Sequence, residues 1–539
     1  MAARRPNILI IQADQLAGPA LPMYGNNIVK APNMEAIATK GLTFYNCYCN
    51  NPVCGPSRAS MLTGLLSSEV GVYDNGGEFP CSIPTFAHYL RRLGYRTCLS
   101  GKMHFVGADQ LHGFEERLTT DIYPSDFGWT ADWAQQDEPY APSRMSLRSI
   151  VEAGICQRSL QIDYDEEVCY QAEQWLFDKD FFEKDIATKK NITKTTSWNI
   201  LFLLFASFTH PHNPFITTQE FWDLYDHSKI NLPLTPKIPF ERQDPWSQRY
   251  LLTIRADEHE VTEESIRNAR HAYYGMVSYF DSLIGRILKV LKTCNFEDNT
   301  YVFVTADHGE MLGERGLWFK FNPFEWSVRV PMLVKGPNVR QGYIEKKGVS
   351  LLDLFPTLLD IATDGKSPKL IDKMYGRSLI NLFSGNDSSR SDEVMMEYTG
   401  EGVYAPAIML RLDGWKYIYS RTDPAMLFNL GCDSQELNNL AGTSEGSAIE
   451  KRMQAVIHER WDYGALEKKI LLSQQRRLLV QEALLQGRWT GWDFQPFVDA
   501  TRAYVRGAID PNTTATKARR RYPFVAEVPP HHPRKNRRR

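Results

Sequence analysis

Apolar runs in the N-terminal part of the chain predict the strands of a buried sheet. The runs cover residues 8–11, 96–99, 200–205 and 300–305. Runs of this kind are typical of strands that are covered on both faces. Polar residues follow each run, and the candidates for chemistry among them are Asp14, Gln15, Lys102, His104, His210, His212, Asp307 and His308. Because the carboxyl ends of parallel strands meet at one edge of a sheet, we expect these side chains to lie close together.

Helices are predicted between the strands. From Ile266 to Val290 the apolar positions recur at alternating spacings of three and four, which predicts a long amphipathic helix. Further helices are predicted over residues 33–40, 83–93 and 167–178. This alternation predicts an α/β fold in which helices sandwich a large, mostly parallel sheet. Residues 105–165 and 215–260 show no regular period and are predicted to be long irregular segments.

The pattern changes near residue 390. Strand-like runs at 408–412 and 415–419 flank Asp413-Gly414, which predicts a hairpin, and helical patterns follow at about 447–462 and at 463–486. We therefore predict a catalytic α/β domain over 1–390 and a smaller α+β subdomain with an antiparallel sheet over 391–486. Residues 487–539 are predicted to be a C-terminal tail, aromatic-rich at first and basic at its end.

Composition narrows the class of protein. Over 539 residues the chain is 43% apolar and 23% charged, with a formal net charge of -2, which gives no reason to expect a nucleic-acid partner. The nine cysteines show no zinc-finger or C-x-x-C spacing, which favours a reducing compartment. No signal-peptide pattern and no long apolar run is present. We expect a cytoplasmic protein without a membrane partner.

The stretch Cys54–Gly64 combines a reactive side chain with the start of a helix. Its sequence is Cys-Gly-Pro-Ser-Arg-Ala-Ser-Met-Leu-Thr-Gly, and Pro56 and Ser57 are suited to a first helical turn. Cys54 would then lie at a helix N-terminus, where backbone N–H groups favour an anion. Arg58 lies one turn further on and can point to the same place.

A divalent metal site is predicted beside this helix. Asp14, Asp307 and His308 are the candidate ligands, and Gln15 offers an amide oxygen. Oxygen-rich ligands favour Ca²⁺, Mg²⁺ or Mn²⁺ over Zn²⁺.

The string Cys-x-Pro-Ser-Arg-x-x-x-Leu-Thr-Gly resembles the signature of the sulfatase family, whose fold is similar to that of alkaline phosphatase. The resemblance implies that Cys54 is oxidised to formylglycine by a formylglycine-generating enzyme, and that this group, together with one bound metal ion per subunit (Ca²⁺ foremost, Mn²⁺ or Mg²⁺ as alternatives), forms the nucleophile. Cys54 thereby joins Asp14, Gln15, Asp307 and His308 as a metal ligand. Many arylsulfatases carry Asp-Asp where this chain has Asp14-Gln15, so the site has one negative charge fewer.

The same resemblance assigns roles to the polar residues. Arg58 would hold the oxyanion together with the helix N-terminus. Lys102, Lys320 and His212 would neutralise the sulfuryl oxygens. His212 or Lys320 would protonate the leaving alkoxide, and His104 would later remove a proton so that sulfate is expelled.

Longer segments resemble the choline sulfatases within the family. These segments cover residues 100–107, 109–124, 312–320 and 491–497. A quaternary ammonium group needs aromatic faces and a carboxylate. The candidate substrate-binding residues are Asn75, Trp129, Trp133, His210, Glu397 and Asp499. The chain departs from the choline sulfatases at Ser143-Arg144-Met145-Ser146, where the arginine favours an anionic or neutral group.

Two other functions remain open from the sequence. One is a phosphonate monoester or phosphodiester hydrolase of the same superfamily, and the other is a non-catalytic quaternary-ammonium binding protein with an unmodified Cys54. Large aromatic residues in the tail, from Trp489 to Phe497, indicate burial against another subunit. The resemblance implies a homotetramer in which a tail carboxylate, Asp499 first and Asp493 second, approaches a neighbour's active site.

Overall fold

The strands of the protein are short, between two and seven residues long. The computed structural model describes residues 5–123, 126–134, 145–189 (backbone only over 181–189), 201–366, 368–385 and 390–486. The strands are β1 Asn7–Ala13, β2 Leu42–Phe44, β3 Cys47–Tyr48, β4 Arg96–Gly101, β5 Glu116–Arg117, β6 Gly154–Cys156, β7 Phe202–Ser207, β8 Ile216–Thr218, β9 Thr300–Ala306, β10 Arg329–Val330, β11 Met332–Lys335, β12 Tyr343–Glu345, β13 Val349–Ser350, β14 Val394–Tyr398, β15 Ala407–Leu412, β16 Trp415–Ser420 and β17 Met426–Asn429.

The helices range from single turns to more than eight turns. They are α1 Pro32–Thr39, α2 Cys54–Thr63, α3 Ser67–Val70, α4 Phe86–Arg92, α5 Arg148–Val151, α6 Leu160–Lys189, α7 Gln219–Trp222, α8 Pro245–Thr253, α9 Glu263–Thr293, α10 Glu325–Val328, α11 Leu354–Thr363, α12 Ile380–Phe383, α13 Ser447–Arg460 and α14 Tyr463–Leu485. Short 3₁₀ segments lie at Gly18–Ala20, Pro22–Tyr24, Phe127–Trp129, His227–Lys229, Phe240–Arg242, Glu297–Asn299, Glu314–Gly316 and Leu351–Asp353.

The large sheet is mixed, and its centre is parallel. Within the described ranges it has eight strands in the order β12-β2-β11-β9-β1-β7-β4-β5. The strands from β9 to β5 run parallel, and β11 pairs antiparallel with both β9 and β2. Strands β1, β7 and β9 are buried over their whole length, as their continuous apolar sequences require. The predicted α/β fold with a mostly parallel sheet is confirmed.

The parallel register decides which polar residues meet. Gln12 of β1 pairs with Ser207 of β7 and with Thr305 of β9, so the three strands end at the same level. The residues that follow these three strands, among them Asp14, Thr209 and Asp307, therefore lie together at one edge of the sheet. This is the edge at which ligands bind in open α/β sheets.

The second, smaller sheet lies in the C-terminal part of the described chain. It is antiparallel, with the order β14-β15-β16-β17. The predicted hairpin joins β15 to β16, and Asp413 and Gly414 both have positive φ, at 52° and 80°, as a tight two-residue turn needs. The antiparallel sheet predicted after residue 390 is confirmed, whereas the domain boundaries at 390 and 486 stay predictions.

Several elements differ in extent from the predictions. Helix α4 starts at Phe86 rather than at residue 83, because Thr85 and His88 form a capping box there. Helix α6 starts at Leu160, earlier than predicted. The segments 105–165 and 215–260 contain short elements, among them the nine-residue helix α8, whose Pro245 occupies a first-turn position. Elements of two to four residues are too short to produce a detectable period.

No helix in the described parts of the chain is long and apolar enough to cross a membrane. All nine cysteines lie within those parts as free thiols.

Candidate active site

The N-terminus of α2 points into the edge where the central strands end. Cys54 is the first residue of the helix and is 2% exposed. Two contacts fix its position: the N–H of Gly55 donates to Oδ1 of Asn75 at 2.9 Å, and Oγ of Ser57 donates to the carbonyl of Asp307 at 2.5 Å. The start of the helix is thus bound to the loop between α3 and α4 and to the residue that follows β9.

Four candidate ligands converge beside Cys54. The ligand atoms of Asp14, Cys54, Asp307 and His308 all lie within 4.8 Å of one another, and all four side chains are buried. Nε2 of His308 is 3.2 Å from Sγ of Cys54 and 3.7 Å from Oδ1 of both Asp14 and Asp307.

The chemistry of this set fits a divalent cation. His308 lies with Nδ1 3.1 Å from the carbonyl of Gly309, and a carbonyl can only accept, so Nδ1 carries the hydrogen and Nε2 presents a lone pair to the cluster. Two carboxylates that converge away from water are also stabilised by a cation between them. Hard oxygen donors with one imidazole suit Ca²⁺, Mg²⁺ or Mn²⁺.

Two basic side chains of the protein form ion pairs with these two carboxylates. Arg58 donates from Nε to Oδ2 of Asp307 at 2.8 Å, and Lys102 forms a short ion pair with Asp14. Burial alone would raise the pKa of Asp14, but Lys102 and its other positive neighbours hold it well below its usual range. Burial and Asp14 act to raise the pKa of the Cys54 thiol, yet the surrounding cations, with Lys102 foremost, hold it below its ordinary value. The cations around residue 54 therefore favour a negative charge on its side chain.

Lys320 reaches the site from the loop after β9. Its Nζ lies 2.6 Å from Oε1 of Gln15 and 2.8 Å from Nε2 of His212. Nδ1 of His212 lies 2.7 Å from the carbonyl of Asn213, so Nδ1 carries the hydrogen and Nε2 accepts. Burial and the nearby Lys320 lower the pKa of His212 well below its usual range, and the imidazole is neutral.

The amide of Gln15 has a defined orientation. Its Nε2 donates to Oε2 of Glu310 at 2.5 Å and to Oδ1 of Asn213 at 3.2 Å, which leaves Oε1 for Lys320. Gln15 also has a positive φ of 66°, and its backbone N–H donates to Oδ1 of Asp307. The structure thus places Gln15 beside the metal ligands with its side-chain oxygen bound to a lysine. Its assignment as a metal ligand stays a prediction.

His104 lies against the start of α2. Its Nε2 lies 3.1 Å from the carbonyl of Asn75 and therefore carries the hydrogen, whereas Nδ1 is buried without a hydrogen-bond partner among the described residues. Asp121 accepts from the backbone N–H of His104 at 2.8 Å and supports its positive φ of 57°. Burial, with Lys102, lowers the pKa of His104 to about 4. The ring therefore presents a neutral nitrogen that can accept a proton.

Comparison with known proteins identifies the family to which this site belongs. A family model described as "Sulfatase" matches residues 6–364. The chain belongs to the sulfatase family. Two further models match its C-terminal part: "Choline sulfatase enzyme C terminal" over residues 468–522 and "N-sulphoglucosamine sulphohydrolase, C-terminal" over residues 313–462.

Relatives of this sulfatase agree with the assignment. It is 41% identical to the choline-sulfatase of Rhizobium meliloti over 527 residues, which cover 97% of this chain and 99% of the relative. Among solved structures it is similar to the phosphonate monoester hydrolase of Agrobacterium radiobacter, with 22% identity, a TM-score of 0.66 and coverage of 87% and 96% of the two chains. It is also similar to a 2-O GAG sulfatase, with 20% identity, a TM-score of 0.63 and coverage of 93% and 100%. The last two likenesses concern the fold, whereas the family and its relative identify a sulfuric ester hydrolase.

The structure brings the predicted catalytic residues of the sulfatase into one connected cluster. Its members are Cys54, Arg58, Lys102, His104, His212 and Lys320, and all are buried. They come from segments that lie up to 266 residues apart in sequence, and the ends of the parallel strands, helix α2 and the loop after β9 bring them together. Their individual roles stay predictions.

The predicted substrate-binding residues are more widely separated from one another than the predicted catalytic residues. Asn75 lies beside Gly55 and His104, as described above. His210 is 1% exposed, with Nδ1 2.7 Å from Asp165 and its ring edge-on to Tyr279. The carboxylate of Glu397 accepts hydrogen bonds from Ser67, Ser68 and Trp461.

Of the aromatic candidates, Trp133 contacts the loop between β14 and β15, whereas Trp129 lies beside Gly76. Trp133 is 1% exposed and donates from Nε1 to the carbonyl of Gly400 at 3.0 Å, and the backbone of Trp129 packs against Gly76. Asp499 and Arg144 lie outside the described residues.

Three polar residues of the site were not predicted from the sequence. Tyr123 lies with its ring 4.7 Å from Nζ of Lys102, Glu310 holds Gln15, and Glu401 lies within electrostatic range of Lys320. Glu310 follows the predicted strand at 300–305 closely enough that the strand-end argument could have included it, whereas Tyr123 lies within the segment that was predicted to be irregular. No sequence pattern points to Glu401, since it lies in the loop between β14 and β15 of the smaller sheet.

Proposed function

We propose that this sulfatase hydrolyses choline-O-sulfate to choline and sulfate. The observation that carries the proposal is the 41% identity to a choline-sulfatase over 97% of the chain. The match of residues 468–522 to a choline sulfatase C-terminal model supports it. A phosphonate monoester hydrolase is the alternative, but its support is a fold likeness at 22% identity.

A carboxylate near the catalytic cations supports a cationic substrate. Oε2 of Glu401 is buried and has no hydrogen-bond partner among the described residues. Burial, followed by the charge of Asp74, raises the pKa of Glu401 to about 7. A buried carboxylate oxygen without a hydrogen-bond partner is costly, and a quaternary ammonium group beside it would supply further positive charge. Trp133, bound to the neighbouring Gly400, places an aromatic ring in the same region.

The nucleophile is proposed to be formylglycine made from Cys54 by a formylglycine-generating enzyme. When present, this group supplies a hydrated aldehyde whose hydroxyl attacks sulfur. A bound divalent cation, Ca²⁺ foremost, supplies a positive charge that lowers the pKa of that hydroxyl. Asp14, Asp307 and His308 would hold the cation. The positive end of the α2 dipole and the neighbouring lysines favour negative charge at residue 54.

The remaining residues handle charge and protons. The ammonium groups of Lys102 and Lys320 would neutralise the sulfuryl oxygens. Since His212 is neutral and accepts from Lys320, the proton for the leaving alkoxide is held at Nζ of Lys320 and can pass directly or through Nε2 of His212. Nδ1 of His104, which has no partner in the described chain, is the proposed base for the second step.

The chain is further proposed to act as a cytoplasmic homotetramer. Nine free thiols support a reducing compartment. Helix α14 exposes Leu472, Leu479, Val480 and Leu485, apolar side chains that a subunit contact would cover. In this assembly Asp499 of the tail would approach the quaternary ammonium group of the substrate in a neighbouring subunit.

Parallel assays of the purified protein test the proposed substrate. Choline-O-sulfate, 4-nitrophenyl sulfate, bis(4-nitrophenyl) phosphate and a phenylphosphonate monoester are compared by kcat/KM. The proposal requires the highest value for choline-O-sulfate. A higher value for the diester or the phosphonate would contradict it, and binding of choline without turnover of any ester would favour a binding protein.

A further inference from the structure

A buried ion pair joins the last described helix to the loop that contacts the start of α2. Arg477 of α14 is 6% exposed and donates from both terminal nitrogens to Asp74, at 2.5 and 3.0 Å. Its Nη1 also donates to Oγ1 of Thr130 at 3.0 Å. The two partners lie 403 residues apart in sequence. A two-pronged pair of this kind fixes geometry as well as charge.

Asp74 in turn fixes the loop that carries Asn75. Its Oδ1 accepts from the N–H of Gly76 at 3.0 Å, and its Oδ2 accepts from the N–H of Ala131 at 3.3 Å. Gly76 is closely packed, since a Cβ there would lie 2.8 Å from Oγ1 of Thr130. Asn75 is therefore held between two anchored neighbours.

Asn75 contacts both the nucleophile's helix and the proposed base. Its Oδ1 accepts from the N–H of Gly55, next to Cys54, and its carbonyl accepts from Nε2 of His104. The second contact fixes which nitrogen of His104 carries hydrogen. Asn75 therefore fixes both the amide that follows residue 54 in α2 and the tautomer of the base.

Charge makes the loop depend on Arg477. Asp74 is fully buried, and Glu401 lies within electrostatic range of both members of the pair. Removal of one partner of a buried pair leaves the other charge uncompensated, which is strongly unfavourable. Without the guanidinium, the carboxylate of Asp74 is repelled by Glu401 and is expected to move toward solvent. The loop that carries Asn75 would shift with it.

We infer that Arg477 is a positioning residue for the sulfatase reaction: through Asp74 it holds Asn75 in the place that aligns residue 54 and His104. Arg477 acts on residue 54 and His104 through two other residues, Asp74 and Asn75. The inference rests on sulfate ester hydrolysis and does not depend on choline as the alcohol.

The test compares Arg477→Met, Arg477→Lys and a control in the full-length modified enzyme. The control is Arg421→Met, because Arg421 forms an exposed ion pair with Glu467 on the same helix. Turnover of 4-nitrophenyl sulfate is measured, with thermal unfolding monitored in parallel. Since misplacement of catalytic groups by about 1 Å can reduce turnover about a hundredfold, Arg477→Met is expected to lower kcat about ten- to a hundredfold with little change in KM. Arg477→Lys should recover part of the loss, and Arg421→Met should behave as wild type.

Chemical rescue separates positioning from general destabilisation. Guanidinium chloride, at concentrations too low to unfold the protein, should restore part of the kcat of Arg477→Ala by refilling the gap beside Asp74, and should not raise that of Arg421→Met. The inference is overturned if kcat of the Arg477 variants equals that of wild type, or if their loss follows the unfolded fraction and guanidinium restores nothing. Failure of the choline proposal is a separate result, since it appears in the wild-type enzyme as poor turnover of choline-O-sulfate.

Discussion

The ammonium nitrogen of Lys320 lies 2.8 Å from Nε2 of His212, and both groups are buried. Because the other ring nitrogen of His212 is bound to the carbonyl of Asn213, Nε2 can only accept. Burial, with the charge of Lys320, lowers the pKa of His212 and keeps the ring neutral. The proton available to a leaving group is therefore on the lysine, and the histidine can pass it on.

This pair predicts a dependence on the leaving group. Lys320→Ala and His212→Ala should lower kcat for choline-O-sulfate by about 10²–10⁴-fold, because an alkoxide leaves poorly without a proton. The loss should be smaller for 4-nitrophenyl sulfate, whose phenolate leaves without one. Lys229→Met is the control, since Lys229 is exposed and paired with Asp226. Equal losses on both esters would contradict the role as proton donor.

Cys54 is predicted to carry the activity in modified form. Cys54→Ala should lose essentially all hydrolysis of sulfate esters while it stays folded, and Cys54→Ser should stop after one turnover because its sulfo-ester lacks a second hydroxyl. Mass spectrometry of the peptide with residue 54 should show a loss of H₂S and a gain of one oxygen atom. Activity with an unmodified Cys54 peptide, or more than a few per cent activity in Cys54→Ala, would refute the prediction.

Metal removal is expected to stop turnover. Chelation should abolish it, and Ca²⁺, Mg²⁺ or Mn²⁺ should restore it to different degrees that identify the preferred ion. Asp14→Asn and Asp307→Asn should each lower kcat by more than about a hundredfold, since the ion contributes several kcal/mol of charge stabilisation. Asp413→Asn, at an exposed ion pair, serves as the control. Full activity after thorough chelation would exclude the assignment.

Glu401 is predicted to select the cationic alcohol. Glu401→Gln should raise KM for choline-O-sulfate about tenfold or more, equivalent to about 1.4 kcal/mol, and should leave KM for 4-nitrophenyl sulfate nearly unchanged. Since burial raises the pKa of Glu401 to about 7, the carboxylate loses its charge as pH falls below that value. KM for choline-O-sulfate should therefore rise on the acidic side, and Glu401→Gln should remove this dependence.

Two glutamates serve as comparisons for this prediction. Glu445→Gln, at an exposed position, should change nothing. Glu397→Gln tests the other candidate carboxylate: its hydrogen bonds to Ser68 and Trp461 predict a loss of thermal stability first. If Glu397→Gln raises KM for choline-O-sulfate and Glu401→Gln does not, the cation site belongs to Glu397.

The tail is predicted to take part in assembly. Removal of residues 487–539 should give a smaller particle by light scattering, because aromatic residues such as Trp492 would no longer cover a neighbouring subunit. KM for choline-O-sulfate should rise with the loss of Asp499. Removal of the basic end alone, residues 523–539, should change neither quantity. Unchanged mass and KM after the longer truncation would contradict the prediction.

Local pattern was sufficient for much of the fold. Strands β1, β7 and β9 could be predicted because they are buried on both faces and read as continuous apolar runs. The long helix α9 could be predicted from its spacing. The two-residue elements β5 and β10 could not, since pairing with a neighbour, rather than their own sequence, makes them strands.

The sequence by itself determined which metal-ligand and catalytic residues to expect, and the sheet edge at which the strand-end residues among them lie. Strand ends are local features, and parallel strands bring Asp14 and Asp307 to one edge whatever the loops do. Only the tertiary structure decided the partner of each group: the amide oxygen of Gln15 is bound to Lys320, and Asp74 is bound to Arg477. Such pairs depend on how segments hundreds of residues apart pack at ångström distances, which no periodicity along the chain records.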